Sequence, residues 1–457
     1  MLPSPRAEGR SLARIVPGVL VVLVGTGWAS AADWPQWLGP KRDAVWQESG
    51  TLDAFPEGGP KVVWRKPIGP GYTGPAVAGG KVYVMDRTMK APVPEGKAQL
   101  GTLPGTERVL CLDLKTGAEL WKHEYDCPYT GISYPQGPRT TPLVAGGTVY
   151  TLGTMGDLIA FDAANGSVKW KTNFTTDLKV KPPVWGHSAH LLLDGDTLIT
   201  LVGGDGGAVR GFDAATGKEK WKGLSSQEVG YAPPVIADLA GKRQLVIWLS
   251  DKLAGLNPQT GEVYWQLKHP VLPEGKKQMR PAVTIVTPAV VDDKVLVSTY
   301  YEGCCAVKVT PTGADFAWKA KDVYPKTPEK LPTLMTTMLH RDGYLYGMDE
   351  AGRVVCLKAA SGEKVWDDHA LYDGKDTLFG TAFWVWNGNK VFAQTDLGDL
   401  FVLKPSPKGL QVLGKAHVID ATFSTRGRKV VWSHPAFADR CMVTRNDKEI
   451  VCVSLAK

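Results

Sequence analysis

A ten-residue unit recurs along this sequence and constrains its fold more than any other feature. Each copy has an apolar residue, then Asp or a substitute, then a Gly four residues later and a Trp four residues after the Gly. The full copies span 112–121, 161–170, 212–221, 256–265 and 357–366, and two looser copies end at Trp318 and Leu413. Repetition at a period of 20–50 residues indicates a solenoid or a propeller.

The residue types in the unit predict a β-hairpin. Gly217 is typical of these glycines, because Gly adopts a left-handed backbone at no steric cost. The preceding Asp213 can accept hydrogen bonds from amides two residues ahead and so hold the turn. An isolated hairpin is marginal in water, so we expect each Trp to pack against a neighbouring unit. This assigns a structural role to Trp64, Trp121, Trp170, Trp221, Trp265, Trp318 and Trp366.

The spacing of these tryptophans predicts eight units. The interval from Trp121 to Trp366 is 245 residues in five steps, or 49 residues a step, and 393 residues from Trp64 to Lys457 hold eight steps. Each unit begins with a short apolar strand such as Thr141-Pro142-Leu143-Val144, and four short strands per unit are typical of a propeller blade. We predict an all-β, eight-bladed β-propeller with four antiparallel strands per blade. Residues 62–67 would complete the last blade and close the ring, leaving no free sheet edge.

The N-terminus predicts export. Arg6, Arg10 and Arg14 precede an apolar run, and Ala29-Ser30-Ala31 fits a small-x-small cleavage site. The predicted organisation is a signal peptide at 1–31, an aromatic leader at 32–60 and a propeller at 61–457. The apolar run is short for a membrane span. We therefore expect a periplasmic or extracellular protein that does not span the membrane, and we expect a monomer. The net charge of +7, of which +5 would remain after cleavage, does not favour nucleic acid as a partner.

These features resemble the PQQ-like β-propeller repeat family, whose propellers are related to quinoprotein alcohol dehydrogenases. The resemblance rests on the Ala-x-Asp-x-x-Thr-Gly-x-x-x-Trp units and on the leader Trp34-Pro35-Gln36-Trp37-Leu38-Gly39-Pro40-Lys41-Arg42-Asp43. The family contains enzymes and binding scaffolds, so it specifies a fold more than an activity. For an enzyme it implies an axial quinone, a calcium ion with carboxylate and amide ligands, a catalytic Asp and often a vicinal disulfide.

The cysteines give this enzyme reading little support. Cys304-Cys305 is adjacent in sequence, but adjacent strand residues point to opposite faces, which favours two small buried residues. Cys111, Cys356 and Cys452 occupy one strand position and are interpreted as small core residues. A bridge between Cys441 and Cys452 remains an open alternative.

The predicted topology places every long connection on one face, called the long-loop face, and the tight turns on the other. Loops held by a rigid scaffold commonly carry function. The candidate axial binding residues are those that enter the innermost strands from these loops: Tyr72, Arg139, Trp185, His187, Tyr231, Trp432 and His434. Aromatic, Arg and His side chains suit a flat or acidic ligand, although the same residues could simply seal the channel.

Loop charge is uneven. The connections at 266–335 and 426–429 are rich in Lys and Arg, whereas Asp367, Asp368, Asp373 and Asp376 form an acidic sector. Basic arcs could steer an anionic partner, but solvated loops explain the same residues.

Two functions follow as hypotheses. The first is a non-catalytic, exported propeller that binds a protein or an extracellular ligand through the long-loop face, with no cofactor, no metal site and no catalytic residue. The alternative is a PQQ-dependent dehydrogenase of alcohols or sugars with a degenerate site, which would need PQQ and calcium.

Overall fold

The computed structural model describes residues 1, 33–89, 101–269, 283–321 and 329–457. All of the predicted signal peptide except Met1 lies outside these ranges, as do Lys276, Lys277 and Arg280 of the predicted basic loop. Within the described residues no helix is both long enough and apolar enough to cross a membrane.

The described residues are almost entirely strand and turn. The first half of the chain forms β1 (Val62–Pro67), β2 (Ala76–Ala78), β3 (Lys81–Met89), β4 (Thr102–Leu103), β5 (Gly105–Asp113), β6 (Glu119–Asp126), β7 (Tyr129–Thr130), β8 (Leu143–Ala145), β9 (Thr148–Leu152), β10 (Asp157–Asp162), β11 (Val168–Asn173), β12 (Leu192–Asp194), β13 (Thr197–Leu201), β14 (Val209–Asp213), β15 (Glu219–Gly223), β16 (Val235–Leu239), β17 (Lys242–Trp248), β18 (Lys252–Leu256) and β19 (Val263–Lys268). The second half forms β20 (Ala289–Val291), β21 (Lys294–Thr299), β22 (Gly303–Thr310), β23 (Gly313–Lys319), β24 (Leu339–Arg341), β25 (Tyr344–Met348), β26 (Val354–Lys358), β27 (Lys364–Asp368), β28 (Ala382–Asn387), β29 (Lys390–Thr395), β30 (Asp399–Ser406), β31 (Gly409–His417), β32 (Phe423–Thr425), β33 (Arg428–Val430), β34 (Ala436–Ala438), β35 (Cys441–Arg445) and β36 (Glu449–Ser454). A 3-10 helix spans Ala370–Tyr372.

These strands build eight antiparallel, four-stranded blades across the described ranges, which confirms the predicted fold. Blade 1 is β2-β3-β5-β6, and blades 2 to 7 each use four consecutive strands from β8–β11 to β28–β31. Blade 8 is β34-β35-β36-β1, so its outermost strand comes from the start of the ring. The pairing of Trp64 with Cys452 and of Pro67 with Glu449 closes the circle at 62–67, as the sequence predicted. Two small two-stranded sheets, β4–β7 and the hairpin β32–β33, lie outside the blades.

Five of the repeat tryptophans donate a hydrogen bond to the following blade. The Trp121 indole N–H of blade 1 donates to the Ala163 carbonyl of blade 2 at 3.2 Å, and Trp64 of blade 8 donates to the Leu114 carbonyl of blade 1 at 2.7 Å. Trp170, Trp318 and Trp366 make the equivalent bonds to the following blades. The turn Gly of the next blade lies directly under the indole, as Gly217 does under Trp170. Asp213 accepts from Thr216 N at 2.8 Å, as expected for a turn-holding side chain.

Opposite each of these tryptophans stands a small residue. The cross-strand partners are Cys452, Cys111, Ala160, Gly211, Gly255, Ala306 and Cys356. Each blade has a bulge in this strand pair. Its extra residue immediately precedes the Trp, as Leu120 does in blade 1; in blade 7 it is Leu413, and Gly414 takes the register position of the Trp. Bulges re-aim a side chain, and here the change of register accompanies the turn of each indole toward the neighbouring blade. The three cysteines of this set are therefore small, buried core residues, as predicted.

The remaining cysteines are also free thiols. Cys304 and Cys305 are fully packed but belong to the two different blade interfaces that flank blade 5. This arrangement matches two small buried residues on opposite faces of one strand. The register of blade 8 pairs Cys441 with Ser454 and Cys452 with Val443. The two cysteines are therefore diagonal neighbours across the hairpin, and their thiols are within hydrogen-bonding contact.

The leader crosses the tight-turn face of the ring and enters the axial channel. Trp34 forms an antiparallel bridge with Val77 of β2, with both backbone bonds at 2.8 Å. Further along, Trp46 N donates to the Trp386 carbonyl of β28, and Leu52 N donates to the Leu455 carbonyl. The segment thus ties together blades that are far apart in sequence.

Candidate functional site

A cavity of about 390 Å³ lies on the axis at the long-loop face. It is lined mainly by aromatic and aliphatic side chains, supplied by the leader and by the loops that enter the innermost strands. The lining residues used below are Trp37, Tyr72, Tyr134, Arg139, Trp185, His190, Tyr231, Tyr300, Tyr301, Phe379, Phe383, Arg426, Trp432 and His434. Ligand sites are typically concave, mostly apolar and furnished with few polar groups, and this cavity has that composition.

Six of the seven candidate axial residues lie around this cavity: Tyr72, Arg139, Trp185, Tyr231, Trp432 and His434. His187 does not line it. Its ring packs edge-to-face on Phe174 at 5.1 Å, and its backbone N–H donates to the Thr154 carbonyl. Burial lowers the pKa of His187 to about 3, so it is a neutral core residue.

Three groups of rings form the walls. Trp432 lies 5.4 Å from Phe423 and 5.8 Å from Tyr134 between ring centroids, and Tyr72 packs edge-to-face on Phe423 at 5.5 Å. Elsewhere around the cavity, Trp185 stands over Tyr231 at 5.0 Å. The third group consists of Tyr300, Tyr301 and Phe379, with neighbouring centroids 4.9 and 5.2 Å apart. Mutual packing at these distances fixes the rings, so the cavity is preformed.

Arg139 holds a loop in place. Its guanidinium donates to the carbonyls of Gly137 at 2.8 Å and Ser133 at 2.9 Å, to the carbonyl of Tyr134, and to Thr154 Oγ1 at 3.3 Å. These bonds occupy both terminal nitrogens. The cation therefore positions the Tyr134 loop and has little capacity left for an anion.

Arg426 is the cation that the cavity offers to a ligand. It is exposed on the hairpin formed by β32 and β33, and its guanidinium carbon lies 4.5 Å from the Phe379 ring centroid. Within the described part of the chain it has no ion pair and no hydrogen bond, and no carboxylate lines the cavity. The site is therefore apolar with one available positive charge at its rim.

The histidines at the floor are uncharged. His434 Nε2 lies 2.5 Å from Thr141 Oγ1, and His190 Nδ1 accepts from Thr141 N at 2.9 Å. Burial lowers the pKa of His434 to about 3 and that of His190 well below its usual value. Neither is suited to act as a general base near neutral pH.

Three of the four carboxylates in the acidic sector form ion pairs. Asp376 binds Arg353 at 2.9 Å, Asp373 binds Lys415 at 3.2 Å and Asp367 binds Lys364 at 2.6 Å. Lys330, from the predicted basic arc, donates to the Gly362 carbonyl at 2.9 Å. These contacts fit solvated loop charges.

The cavity does not fit a calcium-dependent quinone. Calcium takes six to eight oxygen ligands, largely carboxylates, carbonyls and amides. The described lining contains no Asp, Glu, Asn or Gln side chain, and no group of acidic, His or Cys side chains suited to a metal occurs in the described ranges. Cys304 and Cys305 pack in the blade interfaces and do not line the cavity.

Sequence reasoning missed part of the site. Tyr134, Tyr300, Tyr301 and Phe379 lie within the long connections, where no strand periodicity points to an inward side chain. Trp37 belongs to the leader, whose motif does not predict where this segment lies in the propeller. Arg426 was noted only as part of a basic arc. Position in a long loop was the one signal that could have suggested them.

A family model identifies the family of this chain. The profile of the PQQ-like repeat family described as "Outer membrane protein assembly factor BamB" matches residues 105–368, more than half of the chain. No curated protein matches the sequence.

Solved structures share the fold at low identity. BamB from Moraxella catarrhalis is 16% identical, with a TM-score of 0.54 over 86% of this chain and 99% of that one. The quinohemoprotein alcohol dehydrogenase ADHIIG from Pseudomonas putida HK5 is 13% identical, with a TM-score of 0.59 over 93% and 80%. The quinohemoprotein alcohol dehydrogenase from Comamonas testosteroni is 14% identical, with a TM-score of 0.58 over 93% and 81%. Since both kinds of protein share this propeller, the match by itself does not decide between a scaffold and an enzyme. The chain belongs to the PQQ-like repeat family of the outer membrane protein assembly factor BamB.

Proposed function

We propose that this protein is an exported, non-catalytic propeller that binds a flat, acidic aromatic group in the axial cavity of its long-loop face. The group belongs to an extracellular or periplasmic small molecule, or is displayed by a protein partner. The main observation that supports this proposal is the combination of fixed aromatic walls with Arg426, an exposed cation that has no hydrogen bond or ion pair in the described structure.

The balance of polar groups supports this ligand class. A sugar needs many hydrogen bonds, but the hydroxyls of Tyr72 and Tyr231 are already engaged by Gln136 at 2.5 Å and Glu228 at 3.0 Å. An aromatic ring needs mainly apolar contact, which the walls provide. One carboxylate or sulfonate at the rim would meet the available guanidinium.

The family supports export and binding. Its profile is named for a factor that assembles outer membrane proteins, and the predicted signal peptide at 1–31 would take this chain to the same side of the inner membrane. A partner protein with an aromatic residue beside a carboxylate could use the same cavity. Quinone-dependent dehydrogenation finds no support in the lining, because the calcium ligands are missing from its described residues.

Two fluorescent probes with one aromatic frame test the proposal. 8-Anilinonaphthalene-1-sulfonate carries an anionic group, and N-phenyl-1-naphthylamine lacks it. We expect both to bind the protein at one site, and Arg426→Gln to weaken the sulfonate about 5-fold, the loss of an exposed ion pair worth about 1 kcal/mol. The neutral probe should bind Arg426→Gln as it binds the wild type.

Lys429→Gln is the matched control, because Lys429 is an exposed cation on the same hairpin that does not line the cavity. It should change neither affinity. Absence of saturable binding, or equal losses in Arg426→Gln and Lys429→Gln, would refute the proposed site. Dye reduction by an alcohol in the presence of PQQ and calcium would refute the non-catalytic assignment.

A further inference from the structure

The leader contributes a side chain to the floor of the cavity. Trp37 is 7% exposed and lies on the axis, where its ring stacks on His190 with centroids 4.0 Å apart and planes within 8°. It meets His434 edge-on at 4.3 Å, and its indole N–H donates to Thr287 Oγ1 at 2.9 Å. These three partners belong to the entries of blades 3, 8 and 5. One indole therefore spans the channel.

The backbone on either side of Trp37 is fixed to the ring. Trp34 is bridged to β2, and the Pro35 carbonyl accepts from Val144 N of β8 at 2.8 Å. After Trp37, the half-buried Arg42 donates to the Leu191 carbonyl at 2.6 Å and to the Pro234 carbonyl at 3.1 Å. Anchors on both sides keep the indole at one depth in the channel.

The floor offers almost no polar group to a ligand. The indole N–H is used by Thr287, so Trp37 presents apolar ring surface. His190 accepts at Nδ1, and because the ring is neutral its proton resides on Nε2. No hydrogen bond is made by this Nε2 within the described residues, and His190 lines the cavity. The floor thus combines an aromatic surface with an N–H donor on His190.

We propose that Trp37 is a specificity-determining residue: the leader closes the channel from the tight-turn face, and its indole sets the depth of the cavity and stacks on the inner end of the ligand. The inference rests on the proposed function, since it concerns the same cavity. It assigns to the N-terminal segment a part in recognition, in addition to its contacts with the blades. The ligand would be aromatic at its inner end, with a hydrogen-bond acceptor toward His190.

The two probes separate this inference from the proposed function. Trp37→Leu should weaken the sulfonate and the neutral probe alike, by roughly 3- to 10-fold, because both lose the same aromatic contact. Arg426→Gln should affect the sulfonate alone. Trp37→Phe should recover part of the lost affinity for both probes.

Trp46→Leu is the matched control. Trp46 is a leader tryptophan of equal size, 1% exposed, packed against Phe392 at 5.7 Å and Phe437 at 5.3 Å, and it does not line the cavity. It should lower the melting temperature without changing either affinity, which also controls for a loosened fold. If Trp37→Leu and Trp46→Leu bind each probe with equal affinity, while Arg426→Gln still weakens the sulfonate alone, the proposed role of Trp37 is wrong and the proposed binding site remains supported. Absence of binding by the wild type would instead overturn the proposed function and this inference with it.

Discussion

The turn glycines allow the inter-blade contact to be measured separately from backbone strain. Gly217 in blade 3 and Gly80 in blade 1 both have φ of +72°. A Cβ on Gly217 would lie 2.5 Å from Trp170 Cε3, whereas a Cβ on Gly80 would meet nothing within 4 Å. Ala at either position suffers the same left-handed strain, but only at position 217 does it collide with an indole.

The expected magnitudes follow from these two terms. Gly80→Ala should cost about 1–2 kcal/mol, the strain of an L-residue in the left-handed region. Gly217→Ala should cost that amount and a further ~1–3 kcal/mol, because a methyl group is forced into a filled interface. Trp170 cannot simply withdraw, since its N–H is bonded to the Ala214 carbonyl at 2.9 Å in the same turn.

Thermal and guanidinium unfolding, followed by tryptophan fluorescence, would compare the two variants with the wild type. Gly147→Ala is a second control, with φ of +71° and nothing within 4 Å. The reasoning requires Gly217→Ala to be the least stable of the three. If all three variants lose the same stability, the Trp–Gly contact does not hold the blades together in the way described.

Two further predictions concern buried polar groups. Trp265 donates to Gln244 Oε1 at 2.6 Å within its own blade. A double-mutant cycle of Trp265→Phe and Gln244→Leu should show a coupling free energy of about 1–3 kcal/mol, because either single substitution leaves a buried donor or acceptor without its partner. Additive effects of the two substitutions on the free energy of unfolding would contradict this prediction. The pKa of His187 is lowered by burial to about 3, below its usual value near 6.5, so the unfolded chain binds the extra proton first as the pH falls. Stability should be unaffected by this residue above pH 6.5 and should decline below it by up to about 1.4 kcal/mol per pH unit until about pH 3. His187→Gln should make the fall in melting temperature between pH 6 and 4 shallower, and an unchanged slope would contradict this reasoning.

The sequence was sufficient to predict the ring because the repeat encodes it locally. Asp213, Gly217 and Trp221 lie in one ten-residue unit, and each has a physical role in it. The spacing of the repeat tryptophans gives the number of blades. The closing strand followed from Trp64, which stands before the first full copy. The bulge before each Trp could not be predicted. Residues such as Leu120 and Lys220 are exposed, and they would be exposed in either pairing register, so no alternation of buried and exposed residues indicates the register.

The site was predicted only in part, for a different reason. Tyr72 and Trp432 flank innermost strands, so topology placed them at the axis. The positions of Tyr300 and Phe379 depend on contacts between loops that are distant in sequence, and no periodicity records such contacts. Arg139 and Arg426 show the same limit: the sequence shows two cations, but only the surrounding carbonyl groups show that Arg139 is occupied.

Blade 5 shows how strictly the repeat controls the joining of blades. Its β22–β23 turn pairs Thr310 with Gly313 directly, which is tighter than the Asp-x-x-Thr-Gly turns, and Gly313 has no side chain above it. Trp265 of blade 4 therefore has no turn to dock on, and its N–H is satisfied by Gln244 instead. The bond to the next blade is therefore missing where the turn has changed. It is also missing at Trp221, whose buried indole N–H has no partner among the described residues although Gly261 lies under its ring. The repeat therefore builds the blades and most of the contacts between them, whereas the loops and the leader build the cavity.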